Sequence, residues 1–179
     1  MSTKPVVLVL GAGSNVGKAL SSKFSKAGYS VALAARSFAN GETPDGHLGI
    51  KVDLSDPKSI PSVFAKVKET LGAAPATVIY NAANVSAPPD ADNLFSLPLD
   101  TLQRDTNIMI ITAFAAAKEA VAGFDTLPKE QTKAFIYTGN ILNTTVMPVP
   151  ALVTLGVGKA GAAYWVGLAS GAFANKGYK

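Results

Sequence analysis

A glycine-rich segment follows the first apolar run of the sequence. It reads Gly-Ala-Gly-Ser-Asn-Val-Gly over residues 11–17, directly after PVVLVL. Glycine allows tight turns and close approach to a ligand, and backbone N–H groups at a helix N-terminus bind phosphate. A Walker A site would place four residues between its first glycine and Gly-Lys and then Ser or Thr. Here five residues separate Gly11 from Gly17, and Ala19 follows Lys18, so this alternative is excluded.

The position of the segment, between a predicted strand and a predicted helix, is that of a dinucleotide pyrophosphate site. We expect Gly11 to allow the turn and Gly17 to allow close packing of helix on strand, and Asn15 can tolerate the left-handed backbone that glycine usually takes. The residues predicted to surround the pyrophosphate are Gly11, Gly13, Ser14, Asn15, Val16 and Gly17.

A second pair of polar residues, Arg36 and Ser37, ends the second predicted strand. Sites for NAD usually carry an acidic residue there to bind the ribose 2′-hydroxyl, and none is present. The guanidinium of Arg36 is instead suited to a 2′-phosphate, to which Ser37 can add a hydroxyl. The sequence therefore favours NADP(H), with NAD(H) possible. The alternative is that Arg36 stacks on the adenine or faces solvent.

A third candidate is Lys159, the only charged residue from position 134 to position 175. One interpretation is a helix-surface lysine whose apolar stem is buried and whose ammonium group reaches water. The other is a lysine that binds ribose or phosphate oxygens.

These residues need elements that bring them together. Apolar runs typical of strands alternate with helical patterns five times, which predicts a Rossmann-type, doubly wound α/β fold with a parallel sheet and helices on both faces. Right-handed crossovers make 3-2-1-4-5 the expected strand order. Residues 40–46 are interpreted as turns. We expect one dinucleotide-binding domain over residues 1–179.

Composition excludes several other classes of protein. There is no cysteine and one histidine, so we expect no disulfide and no metal site. The net charge of +4 comes from scattered residues, which argues against nucleic-acid binding. No signal peptide is recognised, and the longest apolar stretch, residues 160–174, is shorter than the roughly 18 residues of a membrane span. We expect a cytoplasmic protein without membrane contact.

Taken together, the motifs resemble those of the short-chain dehydrogenase/reductase family, in the family's order. The segment 11–17 resembles its glycine fingerprint, with Asn15 in place of the middle glycine. Asp53-Leu54 resembles the pair on the adenine side, and Asn107 falls where the family has a structural and proton-relay asparagine. The family's Asn-Asn-Ala-Gly motif is matched by Tyr80, Asn81, Ala82 and Ala83.

The resemblance also implies catalytic positions. The family places a tyrosine four residues before a lysine that matches Lys159, and this sequence has Leu155 there. Leucine can neither donate nor accept a proton. The family's serine region contains no serine here, although Thr138, Asn140 or Asn143 could orient a substrate carbonyl. The candidate catalytic residues are therefore Lys159, Asn107, Asn140 and Thr138.

Two functions remain open from the sequence. One is an NADP(H)-dependent oxidoreductase that reduces a small carbonyl compound or enone, with a proton from water held by Asn107, Asn140 and Lys159. The other is a non-catalytic nucleotide-binding regulatory or sensor protein. Two apolar helices, at about 98–123 and 152–175, predict a homo-oligomer. Strand five is expected as an unpaired edge, in a truncated chain or under a partner.

Overall fold

The computed structural model describes residues 4–179, which form a six-stranded sheet. Its order is β3-β4-β2-β1-β5-β6, and every pairing is parallel except that of β3 with β4. The five parallel strands follow the expected order, so the predicted fold class is confirmed. The strands are β1 (Val6–Leu10), β2 (Ser30–Ala35), β3 (Gly41–Glu42), β4 (Leu48–Lys51), β5 (Thr77–Tyr80) and β6 (Ala134–Tyr137).

Strand β3 is a correction to the sequence prediction of turns at residues 40–46. Gly41 pairs with Gly49 and Glu42 with Leu48, so a short antiparallel hairpin forms the outer edge of the sheet. A Cβ atom at Gly49 would lie 2.9 Å from the carbonyl oxygen of Ala39. A strand of two residues is too short to show the alternation of polar and apolar residues that identifies longer strands.

Helices cover both faces of the sheet. On one face α1 packs through Leu20 and Phe24, and the opposite face is covered mainly by α2 and α4. Strand β1 is fully buried on both sides, which explains its continuous apolar sequence. The helices are α1 (Val16–Lys26), α2 (Ile60–Leu71), α3 (Leu99–Thr106), α4 (Thr112–Phe124) and α5 (Val153–Ala172).

The predicted helix 98–123 is not continuous. A π-helical turn, Asn107–Ile111, separates α3 from α4. The wider turn changes the hydrogen-bond register, and the carbonyl oxygen of Ile108 accepts a hydrogen bond from the Tyr80 hydroxyl. Burial raises the pKa of Tyr80 far above its usual range, so the hydroxyl remains a donor. Tyr80 thus attaches the end of β5 to the π turn.

Helix α5 approaches the π turn closely because its contact residues are glycines. A Cβ at Gly158 would lie 2.6 Å from Met109 Cε, and one at Gly161 would lie 2.7 Å from Ile110 Cδ1. The helix ends at Ala172, and a short 3₁₀ turn, Ala174–Lys176, follows. The helix therefore ends three residues before Asn175, where the sequence predicted its end.

The edge strand β6 is partly paired at its beginning. The N–H of Phe135 donates to the carbonyl of Lys179 at 2.8 Å, and the N–H of Lys179 donates to the carbonyl of Lys133 at 3.0 Å. Ile136 on the same strand is 45% exposed. The outer edge of β6 is therefore partly paired, whereas the sequence predicted an unpaired edge.

Within residues 4–179, two helical segments are long and apolar enough to cross a membrane by length and composition alone, namely Leu99–Phe124 and Pro150–Ala172. Both segments are longer than the continuous apolar stretch 160–174 considered in the sequence, because each helical segment continues through charged residues, such as Lys159 in the second. Within the described residues, α4 packs against β5 and β6, and α5 packs against α3 and the π turn.

The hydrogen bond of Tyr80 can be tested against a matched tyrosine. Tyr80 and Tyr137 are paired in register and their rings stack, yet the buried Tyr137 hydroxyl has no partner within residues 4–179. We expect Tyr80→Phe to lower the free energy of unfolding by about 0.5–1.5 kcal/mol, because it removes the hydrogen bond to the Ile108 carbonyl. Tyr137→Phe should be neutral or slightly stabilising. Urea denaturation measures both, and equal losses would contradict this account.

Candidate active site

The glycine-rich turn is held against the end of β5. Gly11 has φ +81°, and a Cβ there would lie 2.6 Å from the backbone nitrogen of Ala82. The side-chain amide of Asn81 donates to the Gly11 carbonyl at 3.1 Å. At Gly17, a Cβ would lie 2.7 Å from the Ala12 carbonyl carbon. Gly11 therefore has the steric role expected from the sequence, whereas Gly17 allows close contact with Ala12 in the turn itself rather than with strand β1.

Beyond these contacts the turn is open. Gly13, Ser14, Asn15 and Val16 are exposed, and a Cβ on Gly13 would meet no described heavy atom within 4 Å. Asn15 is the N-cap of α1, where its side chain makes no capping hydrogen bond to the described chain. The first-turn N–H groups of α1 are thus available to an anion.

Asn15 does not adopt the left-handed backbone that its side chain would tolerate. Its φ is −91° and its ψ is −80°, so it is not in the left-handed region. Among the described residues, only glycines have positive φ. Gly11 alone provides the reversal that the turn requires, and Asn15 needs only to begin the helix.

Arg36, Ser37 and Asp53 lie at the carboxyl ends of the neighbouring strands β2 and β4, and all three are exposed. Ser55 donates its backbone N–H to Asp53 Oδ1 at 2.9 Å. Hydrogen bonds from the Ser55 backbone and side chain hold the pKa of Asp53 below its usual value, and the Arg36 guanidinium lowers it further. The structure therefore brings Arg36 near Asp53, whereas Leu54 is buried in the core.

Lys159 lies on α5 and is only 4% exposed. Its Nζ donates to the carbonyl oxygen of Thr138 at 2.6 Å and lies 4.7 Å from the centre of the Tyr137 ring. Burial lowers the pKa of Lys159 because it disfavours the charged ammonium. The Thr138 hydroxyl donates to the carbonyl of Tyr80 at 3.3 Å. Thr138 and Lys159 are therefore in direct contact, and the surface-lysine interpretation is wrong.

Asn140 and Asn143 form a reciprocal cap around a 3₁₀ turn, Ile141–Asn143. Asn140 Oδ1 accepts from the N–H of Leu142 at 2.9 Å, and Asn143 Oδ1 accepts from the N–H of Asn140 at 3.2 Å. A Cβ at Gly139 would overlap the Asn143 amide. The capping bond uses the oxygen of the Asn140 side chain, so its NH₂ group can serve as a hydrogen-bond donor to a ligand.

Asn107 starts the π turn, and its side chain contacts the loop after β4 rather than Lys159 or Asn140. Its Nδ2 donates to the carbonyl of Ser55 at 3.3 Å, which ties the π turn to the loop after β4. Of the predicted catalytic residues, the structure brings Thr138 and Lys159 into contact, with Asn140 two residues farther along the chain. It shows no direct hydrogen bond from Asn107 to Asn140 or Lys159 within the described residues.

An acid at the position of Leu155 is lacking. Leu155 is half-buried one turn before Lys159. Tyr164 is 73% exposed on another side of α5. Tyr137 is closer, because the ammonium of Lys159 lies over its ring. However, burial raises the pKa of Tyr137 to about 12, and its hydroxyl is enclosed. Neither tyrosine replaces the missing group.

A buried polar cluster beside the site was missed by the sequence reasoning. Asp105 is fully buried, and its Oδ1 accepts hydrogen bonds from Asn84 at 2.8 Å and from Arg104. Burial acts to raise the pKa of Asp105, but hydrogen bonds from neighbours including Asn84 outweigh it and hold the pKa below its usual value. Thr154 Oγ1 accepts from the N–H of Ser86 at 3.0 Å.

This cluster fixes the loop after β5 against the first turn of α5, next to Leu155. Asp105 lies in the polar helical segment LDTLQRDT, where its sequence gives no sign of burial. Only the tertiary packing of α3 and α5 encloses it.

Fold and geometry define a dinucleotide-binding α/β protein with a buried lysine beside the carboxyl ends of its strands. The model of the short chain dehydrogenase family matches residues 5–132. A short chain dehydrogenase/reductase, dmxR12, from Cryptosporiopsis sp. is 37% identical over 189 residues, covering 99% of this chain and 74% of the relative. The chain therefore belongs to the short-chain dehydrogenase/reductase family.

Solved structures show the same fold at lower identity. A 3-ketoacyl-(acyl-carrier-protein) reductase from Brucella melitensis, complexed with NADH, has a TM-score of 0.81 and 18% identity, covering 99% of this chain and 74% of its own. A short chain dehydrogenase from Burkholderia cenocepacia, in complex with NADP, has a TM-score of 0.77 and 16% identity, covering 99% and 71%. The two neighbours carry different nicotinamide dinucleotides.

Proposed function

We propose that this chain is an NADP(H)-dependent oxidoreductase that reduces a carbonyl compound or an enone by hydride transfer. The observation that carries the proposal is the open glycine turn at the uncapped N-terminus of α1, with Arg36 at the adjacent strand end. An anion-binding helix end beside an exposed guanidinium suits a dinucleotide with an additional phosphate.

Each part of the cradle would hold a different part of the cofactor. The amides of Ser14, Asn15 and Val16 bind the pyrophosphate, with Gly11, Gly13 and Gly17 leaving room for it. Arg36 and Ser37 bind the 2′-phosphate. Asp53 and Leu54 border the adenine, and Asn81, Ala82 and Ala83 border the cofactor at the end of β5. NADPH, when bound, supplies the hydride.

On the substrate side, the chain's own residues orient the substrate and polarise its carbonyl group. The ammonium of Lys159 binds ribose hydroxyls, and the amide NH₂ of Asn140 donates to the substrate oxygen. The carbonyl of Thr138 holds Lys159 in place, and Asn107 keeps the π turn against the loop after β4. Because Leu155 cannot supply a proton, the substrate oxygen or α-carbon takes its proton from water after hydride has been added. Such a route favours acceptors whose anion is delocalised, as in enones.

A second candidate function is non-catalytic binding of NADP(H) by a regulatory or sensor protein. Leu155 favours it, because the residues of the proposed dinucleotide site are present while the group that would protonate a product is absent. Hydride transfer to a carbonyl compound or an enone distinguishes the two functions.

We further propose a cytoplasmic homo-oligomer in which residues 1–179 constitute one dinucleotide-binding domain. The outer faces of α4 and α5 expose large apolar side chains, which favours burial against a second copy. These side chains are Phe114, Val157, Tyr164 and Leu168.

The preference for NADP(H) depends on Arg36. Replacing it with alanine should weaken NADPH binding about 10- to 100-fold by removing a charge-assisted contact, and should change NADH binding much less. Lys26→Ala, at the opposite end of α1, serves as a control for loss of one positive charge. Isothermal calorimetry measures all four combinations, and equal losses for NADPH and NADH would contradict the preference.

The missing acid can be restored. Leu155→Tyr should increase the rate of NADPH oxidation with a simple ketone about 10²- to 10⁴-fold, the contribution typical of a positioned acid. Ser170→Tyr adds the same side chain to an exposed part of α5 and should have no effect. If both the native protein and Leu155→Tyr bind NADPH yet transfer no hydride to ketones or enones, the non-catalytic function replaces the enzymatic one.

The oligomer is tested by sedimentation velocity. The native chain should sediment as a dimer or larger species, and Leu168→Glu should shift it to monomer by placing a charge in the buried face. Phe95→Glu, at a residue that is 91% exposed outside α4 and α5, should leave the oligomer intact. A native monomer at all concentrations would contradict the proposal.

A further inference from the structure

The buried carboxylate of Asp105 on α3 lies outside the residues assigned above to the cofactor and the substrate. Its Oδ1 accepts hydrogen bonds from Asn84 at 2.8 Å and from the Arg104 guanidinium at 3.1 and 3.2 Å. Its Oδ2 has no partner among residues 4–179, although the side chain is fully enclosed. Burial of a carboxylate costs free energy, so an aspartate at this position is not explained by stability alone.

The partners of Asp105 join two segments that lie far apart in the sequence. Asn84 and Ser86 belong to the loop after β5, and Ser86 Oγ accepts from Arg104 at 3.1 Å and from Asn84 at 3.3 Å. The N–H of Ser86 donates to Oγ1 of Thr154, the second residue of α5, which is 1% exposed. Through Asn84 and Arg104, Asp105 therefore holds the loop that is bonded to the start of α5.

The same loop contacts the glycine-rich turn at its other end. The side-chain amide of Asn81 donates to the Gly11 carbonyl at 3.1 Å, and a Cβ at Gly11 would collide with the backbone of Ala82. Residues 81–86 thus extend from the glycine turn to α5, the helix that carries Lys159. A dinucleotide that binds both the glycine turn and Lys159 has to pass along this segment.

We propose that Asp105 is a positioning residue for the nicotinamide half of the dinucleotide. Because it fixes residues 84–86 against α5 before the cofactor binds, the free energy of ordering this segment is not lost on binding. The adenine half is assigned to Arg36 and Asp53, neither of which bonds to the Asp105 carboxylate. The inference rests on the cofactor proposed above, whereas the effect of Asp105 on the loop does not.

The experiment compares two ligands that share the adenine half. Adenosine 2′,5′-bisphosphate has the adenine and the 2′-phosphate of NADPH and lacks the nicotinamide. Asp105→Asn removes the charge that binds Asn84 and Arg104 while nearly keeping the shape of the side chain. It should weaken NADPH binding about tenfold and leave the affinity for adenosine 2′,5′-bisphosphate unchanged, as measured by calorimetry. A general loss of structure would weaken the binding of both ligands.

Thr154 offers a pair of variants that change no charge. Thr154→Val removes the acceptor of the Ser86 N–H at nearly the same size, and it should weaken NADPH binding selectively, as Asp105→Asn does. Thr154→Ser keeps the hydroxyl and should bind NADPH like the native chain. Asp100→Asn is the matched control for Asp105→Asn, because it makes the same change at an exposed residue of the same helix. It should alter neither affinity.

Hydrogen exchange of the Ser86 amide, followed by NMR without cofactor, tests the loop itself. Exchange should become at least about tenfold faster in Asp105→Asn and in Thr154→Val, because the bond to α5 opens more often. The N–H of Asn81, which donates to the carbonyl of Leu10 at 2.8 Å, should keep its protection. Unchanged exchange of the Ser86 amide in Asp105→Asn would overturn the inference.

The two proposals fail in different ways. Equal NADPH affinity in Asp105→Asn and the native chain would overturn the positioning role and leave the proposed function standing, as would equal losses for NADPH and adenosine 2′,5′-bisphosphate. A native chain that binds neither ligand would overturn the proposed function, and with it any role of Asp105 toward a cofactor, even if exchange of the Ser86 amide responds as expected.

Discussion

The buried ammonium group of Lys159 is the constraint on which the site depends. A charge enclosed in an apolar region is costly unless polar groups compensate it. Here compensation comes from the Thr138 carbonyl at 2.6 Å and the face of the Tyr137 ring at 4.7 Å. Tyr137 ends β6 and Thr138 follows it, so these two contacts fix the distance between α5 and that strand. Gly158 and Gly161 permit this distance because larger residues would collide with the π turn.

The π turn, residues 107–111, takes part in the same packing. It lies between α5 on one side and the end of β5 on the other, where Tyr80 donates to Ile108. Asn107 at its start holds the loop after β4, near Asp53. One irregular turn therefore connects the lysine to the strand ends that carry the proposed nucleotide site. The loop after β5 adds a second connection, because Asn84 donates to Asp105 of α3 and the N–H of Ser86 donates to Thr154 at the start of α5.

Much of this arrangement could be predicted from the sequence, because it depends on local patterns. Continuous apolar runs identified the parallel strands, and the glycines at positions 11 and 17 indicated a tight turn and a close contact. The rest required tertiary information. The π turn, the two-residue β3 and the backbone of Asn15 leave no periodic signal. The burial of Asp105 and the contact of Lys159 with Thr138 arise from residues far apart in the sequence.

The central claim is that the open turn at α1, together with Arg36, forms an NADP(H) site in which the lysine is retained although the tyrosine is not. Calorimetric titration of the native chain with NADPH and, separately, with NADH tests it most directly. The account predicts saturable binding of both with clear preference for NADPH. Absence of binding to either, or a preference for NADH, would contradict it.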